Sequence, residues 1–343
     1  MEYFLIKGHF HVVGHSPDGD SLKFEAENPA HWDNIQTEFR KPFDEIRAKE
    51  NGSALLRLQG IDALETHYSP TPLPAPKEVG NQTFSGAVQP VPGKFRQPAE
   101  FAAAATDKLL GSLGVAKANW NGPRTFIQSI EVKKGNKLET VSEKGKDRLE
   151  GHIVVNDMDQ KGRPLSWVFA GAPPVADGSR IPAGDLAKSL KKSANHQLVS
   201  AGLVYPYFFM TLSASLRQVL AQGVRNAVSK KMNLWSLDKT EAGITLPQVS
   251  QLTKDHLVFP YLFRRLITNQ FRCMMEGYWE AVLNKKNFTP PTESLFLDRF
   301  FEDSNPYIFL IKEMDFVRLD EVVRITGDQF KLSTAPGNIV FLS

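Results

Sequence analysis

The sequence predicts a mainly β fold that also contains helices. Three stretches predict strands, because each holds short apolar runs bounded by turn residues: 4–24, 54–66 and 157–169. Apolar residues at helical spacing predict three helices: 98–110, 181–201 and 213–231. The chain has 343 residues, of which 41% are hydrophobic, so it is long enough for one domain with a sizeable core and a second module.

The first stretch, 4–24, predicts a hairpin. A strand leads into a tight turn at Asp18-Gly19, and Asp20 opens the returning strand. His9 and His11 alternate along the first strand and suggest a metal pair. No third ligand stands near them in the sequence, so we expect exposed strand histidines instead.

The second stretch, 54–66, places charged residues at the end of an apolar run. Its leucines and Ile61 predict a buried strand, and Gln59-Gly60 loosens the end of that strand. Arg57, Asp62 and Glu65 therefore fall where a site can be both rigid and open. An arginine and two acids this close together suit metal-assisted attack on a phosphodiester. A surface strand and turn with ordinary charges explains the same pattern.

The third stretch, 157–169, again predicts strand, turn and strand, with Arg163 directly after Gly162. It is preceded by residues 117–150, where lysines and glycines surround a predicted hairpin formed by 126–132 and 137–141. These lysines suit either phosphate contacts or a solvated strand edge.

Together with two later segments, these stretches resemble the staphylococcal-nuclease-like, or thermonuclease, domain. The family's "DGDT" turn is similar to Asp18-Gly-Asp-Ser21, and its "RL...D-x-P-E-T" is similar to Arg57-Leu...Asp62-Ala-Leu-Glu-Thr66. Its "D-x-x-GR-x-L" is similar to Asp159-Gln-Lys-Gly-Arg-Pro-Leu165. Its "N-x-x-L-V-x-x-G-L" helix is similar to Asn195-His-Gln-Leu-Val-Ser-Ala-Gly-Leu203, and its closing "LW" is similar to Leu234-Trp235. The matches keep their order and cover residues 1–240.

The resemblance implies a five-stranded OB-type β-barrel with three helices, decorated by insertions. We expect this nuclease-like domain over residues 1–240, with insertions at about 26–53, 69–95 and 117–150. The first insertion predicts short helices over 33–50, broken at Pro42, and the second predicts an extended, proline-rich loop. Residues 241–343 have no counterpart in the family. Their pattern predicts a C-terminal α+β module with helices at 247–257 and 260–283, then strands at 322–325 and 330–332.

The resemblance also implies a site. Asp20, Asp62 and the main-chain carbonyl of Ala63 would be ligands for Ca²⁺, which prefers hard oxygen donors. Glu65 would orient or deprotonate the attacking water. Arg57 and Arg163 would clamp the phosphate with their planar guanidinium groups. Four further residues would contact the substrate: Lys161 in the turn before Arg163, and the aromatic residues Tyr205, Tyr207 and Phe208.

The expected function is therefore Ca²⁺-dependent, sequence-nonspecific hydrolysis of DNA and/or RNA, leaving a 3′-phosphate. The alternative is a non-catalytic OB-fold module that binds single-stranded nucleic acid or protein. The C-terminal module, or a protein partner that it recruits, is expected to regulate access to the site. The alternative is a plain structural extension that buries one side of the barrel.

Charge and hydropathy agree with these expectations without demanding them. Residues 1–240 hold 30 basic and 25 acidic side chains, a net charge of +5, whereas residues 241–343 hold 11 and 13, a net charge of −2. No basic stripe dominates, so charge permits a nucleic-acid partner without identifying one. Cys273 is the only cysteine, which excludes an intramolecular disulfide. The absence of a signal peptide and of long apolar runs leads us to expect a cytoplasmic protein without a membrane partner.

Overall fold

The computed structural model describes residues 1–35, 51–135, 137–246, 248–302 and 304–342. These residues divide into two compact units. The first contains residues 1–63 and 101–236, and the second contains residues 64–100 and 237–342. Among the described residues, no helix is long and apolar enough to cross a membrane.

The first unit combines a barrel, a separate three-stranded antiparallel sheet and several helices. Its strands are β1 (Glu2–His11), β2 (Ser21–Ala26), β3 (Ser53–Leu58), β4 (Ile61–Asp62), β5 (Val115–Asn121), β6 (Phe126–Lys134), β7 (Lys137–Val141), β8 (Leu149–Met158), β9 (Pro164–Ala170), β10 (Arg180–Pro182), β11 (Tyr205–Pro206) and β12 (Phe208–Phe209). Its α-helices are α1 (Ala99–Ser112), α2 (Ala183–Ser189), α3 (Ala194–Ser200) and α4 (Ala214–Ser229), and 3₁₀ turns lie at Pro29–Asn34, Leu190–Lys192 and Asn233–Ser236.

Five strands close into a β-barrel. β1 pairs with β2 on one side and β8 on the other, β2 pairs with β3, β3 with β9, and β9 with β8. The β3–β9 pair is parallel and the other pairs of the ring are antiparallel. Strand β10 pairs antiparallel with the first residues of β1, Glu2 to Phe4. This closed ring of five strands fits an OB-type barrel.

The alternation of side chains along β3 fixes its register. Leu56 and Leu58 are buried in the barrel, whereas Leu55 and Arg57 point to the other face. The expectation that every leucine of this strand is buried is therefore wrong for Leu55, because successive side chains of a strand point to opposite faces. A shift of the strand register by one residue would bury Arg57 and expose Leu56 and Leu58. Burial of one leucine side chain contributes about 1.5–3 kcal/mol to the free energy of unfolding. The buried barrel side chains from the other strands include Leu5, Phe10, Leu22, Phe24, Ile153, Val155 and Trp167.

The side chain of Asn195 connects α3 to the parallel strands β3 and β9 by hydrogen bonds. Its Oδ1 accepts a hydrogen bond from the Val168 amide at 3.0 Å, and its Nδ2 donates to the carbonyls of Gln59 and Ser166, each at 3.0 Å. The side chain is fully buried. It therefore pairs with the Gln59 carbonyl and the Val168 amide where β3 ends beside β9, and it adds a second hydrogen bond to the Ser166 carbonyl, which already accepts one from the Gln59 amide.

Most predicted elements of the first unit are confirmed. The predicted helices 98–110 and 213–231 correspond to α1 and α4, and the predicted hairpin corresponds to β6 and β7. Strand β5, which pairs with β6, was missed. The single helix predicted over 181–201 is wrong, because Ser193 adopts an extended conformation and accepts a hydrogen bond from the His196 amide as the N-cap of α3.

The tight hairpin turn predicted at Asp18-Gly19 is also corrected. β1 ends at His11 and β2 begins at Ser21, so a longer loop joins the two strands, and only a local Asp18–Ser21 bridge forms at its end. The helices predicted over 33–50 fall largely on residues 36–50, which lie outside the described residues. Only the 3₁₀ turn at Pro29–Asn34 is described in that region.

The second unit is organised around one long helix. It contains α5 (Pro260–Asn284) and the strands β13 (Ile244–Thr245), β14 (Tyr307–Leu310), β15 (Asp315–Arg318), β16 (Val323–Thr326), β17 (Gln329–Leu332) and β18 (Ile339–Phe341). β14 pairs with β15 and β18, and β17 pairs with β13 and β16. The predictions of α5 and of β16 and β17 are confirmed. The helix predicted over 247–257 is only a π-helical turn at Gln251–Asp255 in the described residues.

Residues 64–100 fold with the C-terminal residues. Val79 joins a buried cluster on α5, and Phe84 and Ala87 pack against it; the α5 members are Phe271, Met274, Met275, Tyr278 and Val282. The sequence suggested a division at residue 240 and an extended insertion near 69–95. The structure groups this proline-rich segment with residues 237–342 instead. The lone Cys273 is buried in α5, as predicted.

We expect Asn195→Ala to lower the free energy of unfolding by about 2–4 kcal/mol, because the Gln59 carbonyl and the Val168 amide lose this partner and each unpaired buried group costs about 1–3 kcal/mol before relaxation. Urea denaturation measures the change. Asn226→Ala, at an exposed position of α4, is the matched control and should stay within about 0.5 kcal/mol of the wild type. A loss below about 1 kcal/mol for Asn195→Ala would contradict the role assigned to this side chain.

Candidate functional site

Four of the predicted site residues meet in the first unit. The Arg57 guanidinium donates through Nη1 to Asp20 Oδ1 and through Nη2 to Asp62 Oδ1, the latter at 2.5 Å. The Ala63 amide donates to Asp20 Oδ2 at 2.6 Å. The side chains of Asp20 and Asp62 are 2% and 0% exposed, and that of Arg57 is 14% exposed. Two acids that are far apart in the sequence thus share one arginine.

Strand register brings Asp20 to Arg57. Ser21 lies opposite Arg57 in the β2–β3 pair, and the Leu58 amide donates to the Asp20 carbonyl at 2.8 Å. Asp20 therefore lies beside the end of β3, next to Arg57. Gly60, with φ of +79°, then turns the chain between β3 and β4 so that Asp62 returns to the same guanidinium.

Gly19 is required by close packing. A Cβ at this position would lie 2.8 Å from the Cβ of Ala63 and 2.7 Å from the Cβ of Ala105 in α1. Both distances are shorter than side-chain carbons tolerate. The glycine between the two aspartates therefore lets the loop approach the β4 segment closely enough for the Ala63 amide to reach Asp20.

The electrostatics of this cluster are dominated by burial. Burial raises the pKa of Asp20 above its ordinary value, and the Arg57 guanidinium and the Ala63 amide oppose that shift, whereas Asp18 and Asp62 add to it. Because both acids lie inside the protein, Arg57 is the group that compensates their charge. An uncompensated buried charge costs several kcal/mol, so this arginine is important for stability as well as for any ligand.

The oxygen atoms of this cluster are of the chemical type that binds hard divalent cations. Two carboxylates and the Ala63 carbonyl are oxygen donors of the type that Ca²⁺ prefers, and water would complete its shell of six to eight oxygens. Arg57 contacts both carboxylates, so a cation held by them would take over contacts that Arg57 makes here. In the described parts of the chain, no group of three or more His, Cys, Asp or Glu side chains is arranged to hold a metal.

Arg163 and Lys161 lie in the turn between β8 and β9. Asp159 organises this turn, because its carboxylate accepts hydrogen bonds from the amides of Lys161 and Arg163 and from Arg163 Nε at 2.7 Å. Leu165 pairs with Arg57 across the parallel strands. Arg163 directly precedes β9. Lys161 is exposed at the tip of the turn.

The predicted aromatic residues differ in accessibility. The backbone of Tyr205 pairs with that of Asp62, and the Tyr207 amide donates to the Gly60 carbonyl at 3.1 Å. Tyr205 and Phe208 are fully buried, and Tyr205 packs edge-on against Trp235. Only Tyr207 is partly exposed. The proposed stacking surface is therefore corrected to Tyr207, because buried rings cannot present a face to a base.

Glu65 belongs to the second unit. Its carboxylate accepts a hydrogen bond from Arg264 Nη1 of α5 at 2.6 Å, and its amide donates to Gln97 Oε1 at 3.2 Å. Sequence reasoning missed Arg264. A signal was present, because Arg264 stands in an apolar helix next to buried Phe263 and near buried Leu266. A cation in such a setting needs an anionic partner.

The histidines of β1 do not form the suggested metal pair. His11 is 4% exposed, its Nδ1 contacts Asp147 Oδ1 at 3.1 Å, and its Nε2 lies 3.2 Å from Glu25 Oε2. Asp147 also accepts hydrogen bonds from the Val12 and Val13 amides. The expectation of an exposed histidine is therefore wrong for His11, which is a buried partner of Asp147.

Removing the charge of Arg57 should destabilise the first unit. We expect Arg57→Met to lower the free energy of unfolding at neutral pH by about 3–5 kcal/mol, because two buried carboxylates lose their counterion. Urea denaturation without divalent ions measures the loss. The double variant Arg57→Met/Asp62→Asn should recover part of it by removing one negative charge. A loss below about 1 kcal/mol, or no recovery in the double variant, would contradict this assignment.

The chain was also compared with known proteins. No model of a protein family matches it, and no curated protein matches it significantly.

Proposed function

We propose that this chain is a Ca²⁺-dependent, sequence-nonspecific nuclease that hydrolyses DNA and/or RNA, with a staphylococcal-nuclease-like barrel. The main support is the cluster in which Arg57 contacts Asp20 and Asp62 while the Ala63 amide contacts Asp20. These residues come from two of the five segments that carry the resemblance. The closed barrel with one parallel strand pair is consistent with such a domain.

In this proposal the acids hold the cation and the arginines hold the phosphate. Asp20, Asp62 and the Ala63 carbonyl would be the ligands of Ca²⁺, which supplies Lewis-acid activation of a non-bridging phosphate oxygen when bound. Arg57 would leave the two carboxylates and donate to the phosphate instead. Its flat, forked guanidinium suits two oxygens of one phosphate as well as it suits two separate carboxylates.

Arg163 would be the second phosphate ligand and would make the same kind of exchange, from Asp159 to the substrate. Its side chain is 25% exposed, so a phosphate can reach it without unfolding the turn. Two guanidinium groups would stabilise the negative charge that gathers on the phosphorus oxygens in the transition state. Lys161, exposed at the tip of the same turn, would add charge for the nucleic-acid backbone.

Glu65 would accept the proton of the attacking water. This role rests on the resemblance and on the three-residue spacing of Glu65 from Asp62 in the sequence. Tyr207 would stack on a base with its partly exposed ring, which is indifferent to sequence because every base has a π face. None of these proposed contacts is to the edge of a base, so cleavage would not depend on the nucleotide sequence.

A second candidate is a non-catalytic OB-fold module that binds single-stranded nucleic acid or protein. One observation favours it: the acids and arginines of the proposed site are already joined in ion pairs, Arg57 with Asp20 and Asp62, and Arg163 with Asp159. A closed set of charges is stable without a metal. Cleavage assays separate the two candidates, because a binding module retains nucleic acid and leaves it intact.

We expect the purified full-length chain to degrade plasmid DNA, single-stranded DNA or RNA in millimolar Ca²⁺, to stop when EGTA is added, and to resume when Ca²⁺ is restored in excess. Gel assays measure cleavage, and calorimetry measures Ca²⁺ binding in parallel. Asp62→Asn should weaken Ca²⁺ binding by about tenfold or more, because it removes one of two charged ligands. Binding of all three nucleic acids without cleavage of any would favour the non-catalytic candidate.

Arg57→Ala and Arg163→Ala should each lower turnover by about 10²-fold or more, the scale for removing one preorganised charge-stabilising group. Glu65→Gln should lose most activity yet bind Ca²⁺ and substrate, because it keeps the side-chain shape and removes the base. Arg225→Ala, at an exposed arginine of α4, is the control and should retain normal turnover. If both arginine variants stay within about threefold of the wild type, the site is assigned wrongly.

A further inference from the structure

Hydrogen bonds connect the backbone around Glu65, through Gln97, to the residues just before α5. Gln97 and Glu65 exchange two hydrogen bonds, since the Gln97 amide donates to the Glu65 carbonyl at 2.8 Å and the Glu65 amide donates to Gln97 Oε1. Gln97 Nε2 donates in turn to the Val258 carbonyl at 2.8 Å, two residues before α5 begins. Gln97 is fully buried. The position of Glu65 is therefore set by the second unit.

The chain beyond Glu65 continues along the same helix. The Tyr68 hydroxyl hydrogen-bonds with Thr268 Oγ1 at 2.6 Å, and the Tyr68 ring packs edge-on against Phe263. Tyr68 also exchanges two backbone hydrogen bonds with Phe95. Residues 65–68 are thus held between α5 on one side and residues 95–97 on the other.

Arg264 lies on the face of α5 that this segment covers. Thr268 stands one helical turn after Arg264, so both side chains face the same way. Arg264 Nη1 donates to Glu65 Oε1 at 2.6 Å, and the two side chains are only 21% and 19% exposed. A short, charge-assisted hydrogen bond with limited water access holds a carboxylate much more firmly than a surface pair does.

We propose that Arg264 is a positioning residue for Glu65. The proposal rests on the proposed nuclease function, in which Glu65 accepts the proton of the water. A glutamate has three rotatable side-chain bonds, and orienting it during the reaction costs conformational entropy. The guanidinium of Arg264 lowers this cost in advance by holding Glu65 Oε1 in one direction.

The proposal changes the role expected for the C-terminal residues. Sequence reasoning made them a regulatory module or a surface for a partner. In this proposal Arg264 acts on Glu65, and α5 and Val258 support the 64–100 segment, so residues 237–342 would hold Glu65 in position within the second unit. A truncation that removes them would take away the partners of Glu65 and of Gln97.

Arginine is better suited than lysine to this task. A guanidinium is planar and directs its hydrogen bonds in fixed directions, whereas an ammonium group on a flexible chain restores charge without fixed geometry. Arg264→Lys should therefore rescue part of what Arg264→Gln loses. A residue that served only the charge balance of the helix would be replaced by lysine without loss.

The test measures the contact and the reaction separately, in the full-length chain. Urea unfolding of the wild type, Arg264→Gln, Glu65→Gln and the double variant forms a cycle that does not depend on cleavage. We expect the unfolding constants to be non-additive by at least about threefold, as for residues in direct contact. Additive effects would overturn the proposal, because the two side chains would then not be coupled.

Steady-state cleavage of single-stranded DNA in Ca²⁺ gives the second measurement. Arg264→Gln should lower kcat by about 10- to 100-fold, the scale of a misoriented catalytic group, with KM within about threefold. Arg264→Lys should fall between Arg264→Gln and the wild type. In a Glu65→Gln background, Arg264→Gln should have no further effect on kcat, because it acts only through Glu65.

Thr268→Val is the matched control. It removes a hydrogen bond between the same helix and the same segment, one turn away, and does not alter the contact with Glu65. Its kcat should stay within about threefold of the wild type. An equal loss in Thr268→Val and Arg264→Gln would show a merely structural role and overturn the proposal.

The remaining outcomes separate this inference from the proposed function. An active wild type with normal or raised kcat in Arg264→Gln overturns the inference alone, and a raised value would mean that Arg264 restrains Glu65. A wild type that cleaves nothing overturns the proposed function and, with it, the catalytic role of Arg264. The unfolding cycle then still reports whether the two side chains are coupled.

Discussion

The first unit depends on the pairing of Arg57 with two buried carboxylates. Neither Asp20 nor Asp62 can remain charged inside the protein without a counterion, and Arg57 serves both. Local features of the chain serve this arrangement. Gly19 permits the approach of the Asp20 loop to Ala63, Gly60 reverses the chain between β3 and β4, and Asn195 pairs the backbone groups left at the end of β3. The barrel provides the rigid frame in which these contacts can be made.

The same principle extends to the other charged residues of the proposed site. Arg163 is paired with Asp159, and in the second unit Glu65 is paired with Arg264. A metal or a phosphate would enter by exchanging partners with groups that are already charged and oriented. Such an exchange would require Arg57 and Arg163 to leave the carboxylates that they contact in this structure. In the proposed function, affinity for a cation would therefore reflect competition with an arginine of the protein itself.

Local patterns predicted a large part of the fold. The apolar run at 54–58 predicted β3, and helical spacing predicted α1, α4 and α5 within a few residues. The meeting of Asp20 with Arg57 was expected only from the family resemblance, because it depends on the β2–β3 register between segments 37 positions apart. The placement of residues 64–100 against α5 was not predictable, because a proline-rich segment has no periodicity that reveals its partner. The burial of Tyr205 and Phe208 was missed for a related reason, since tertiary packing decides which aromatic residues of a short run remain accessible.

The central claim is that Arg57 occupies the two carboxylates that a cation would use, and Ca²⁺ titration of Arg57→Met without nucleic acid tests it most directly. The account predicts that this variant, shown by circular dichroism to be folded in the sample used, binds Ca²⁺ at least about tenfold more tightly than the wild type, because an arginine no longer competes for Asp20 and Asp62. Arg163→Met, which does not alter those contacts, should bind Ca²⁺ as the wild type does. Equal or weaker binding by folded Arg57→Met would contradict the account.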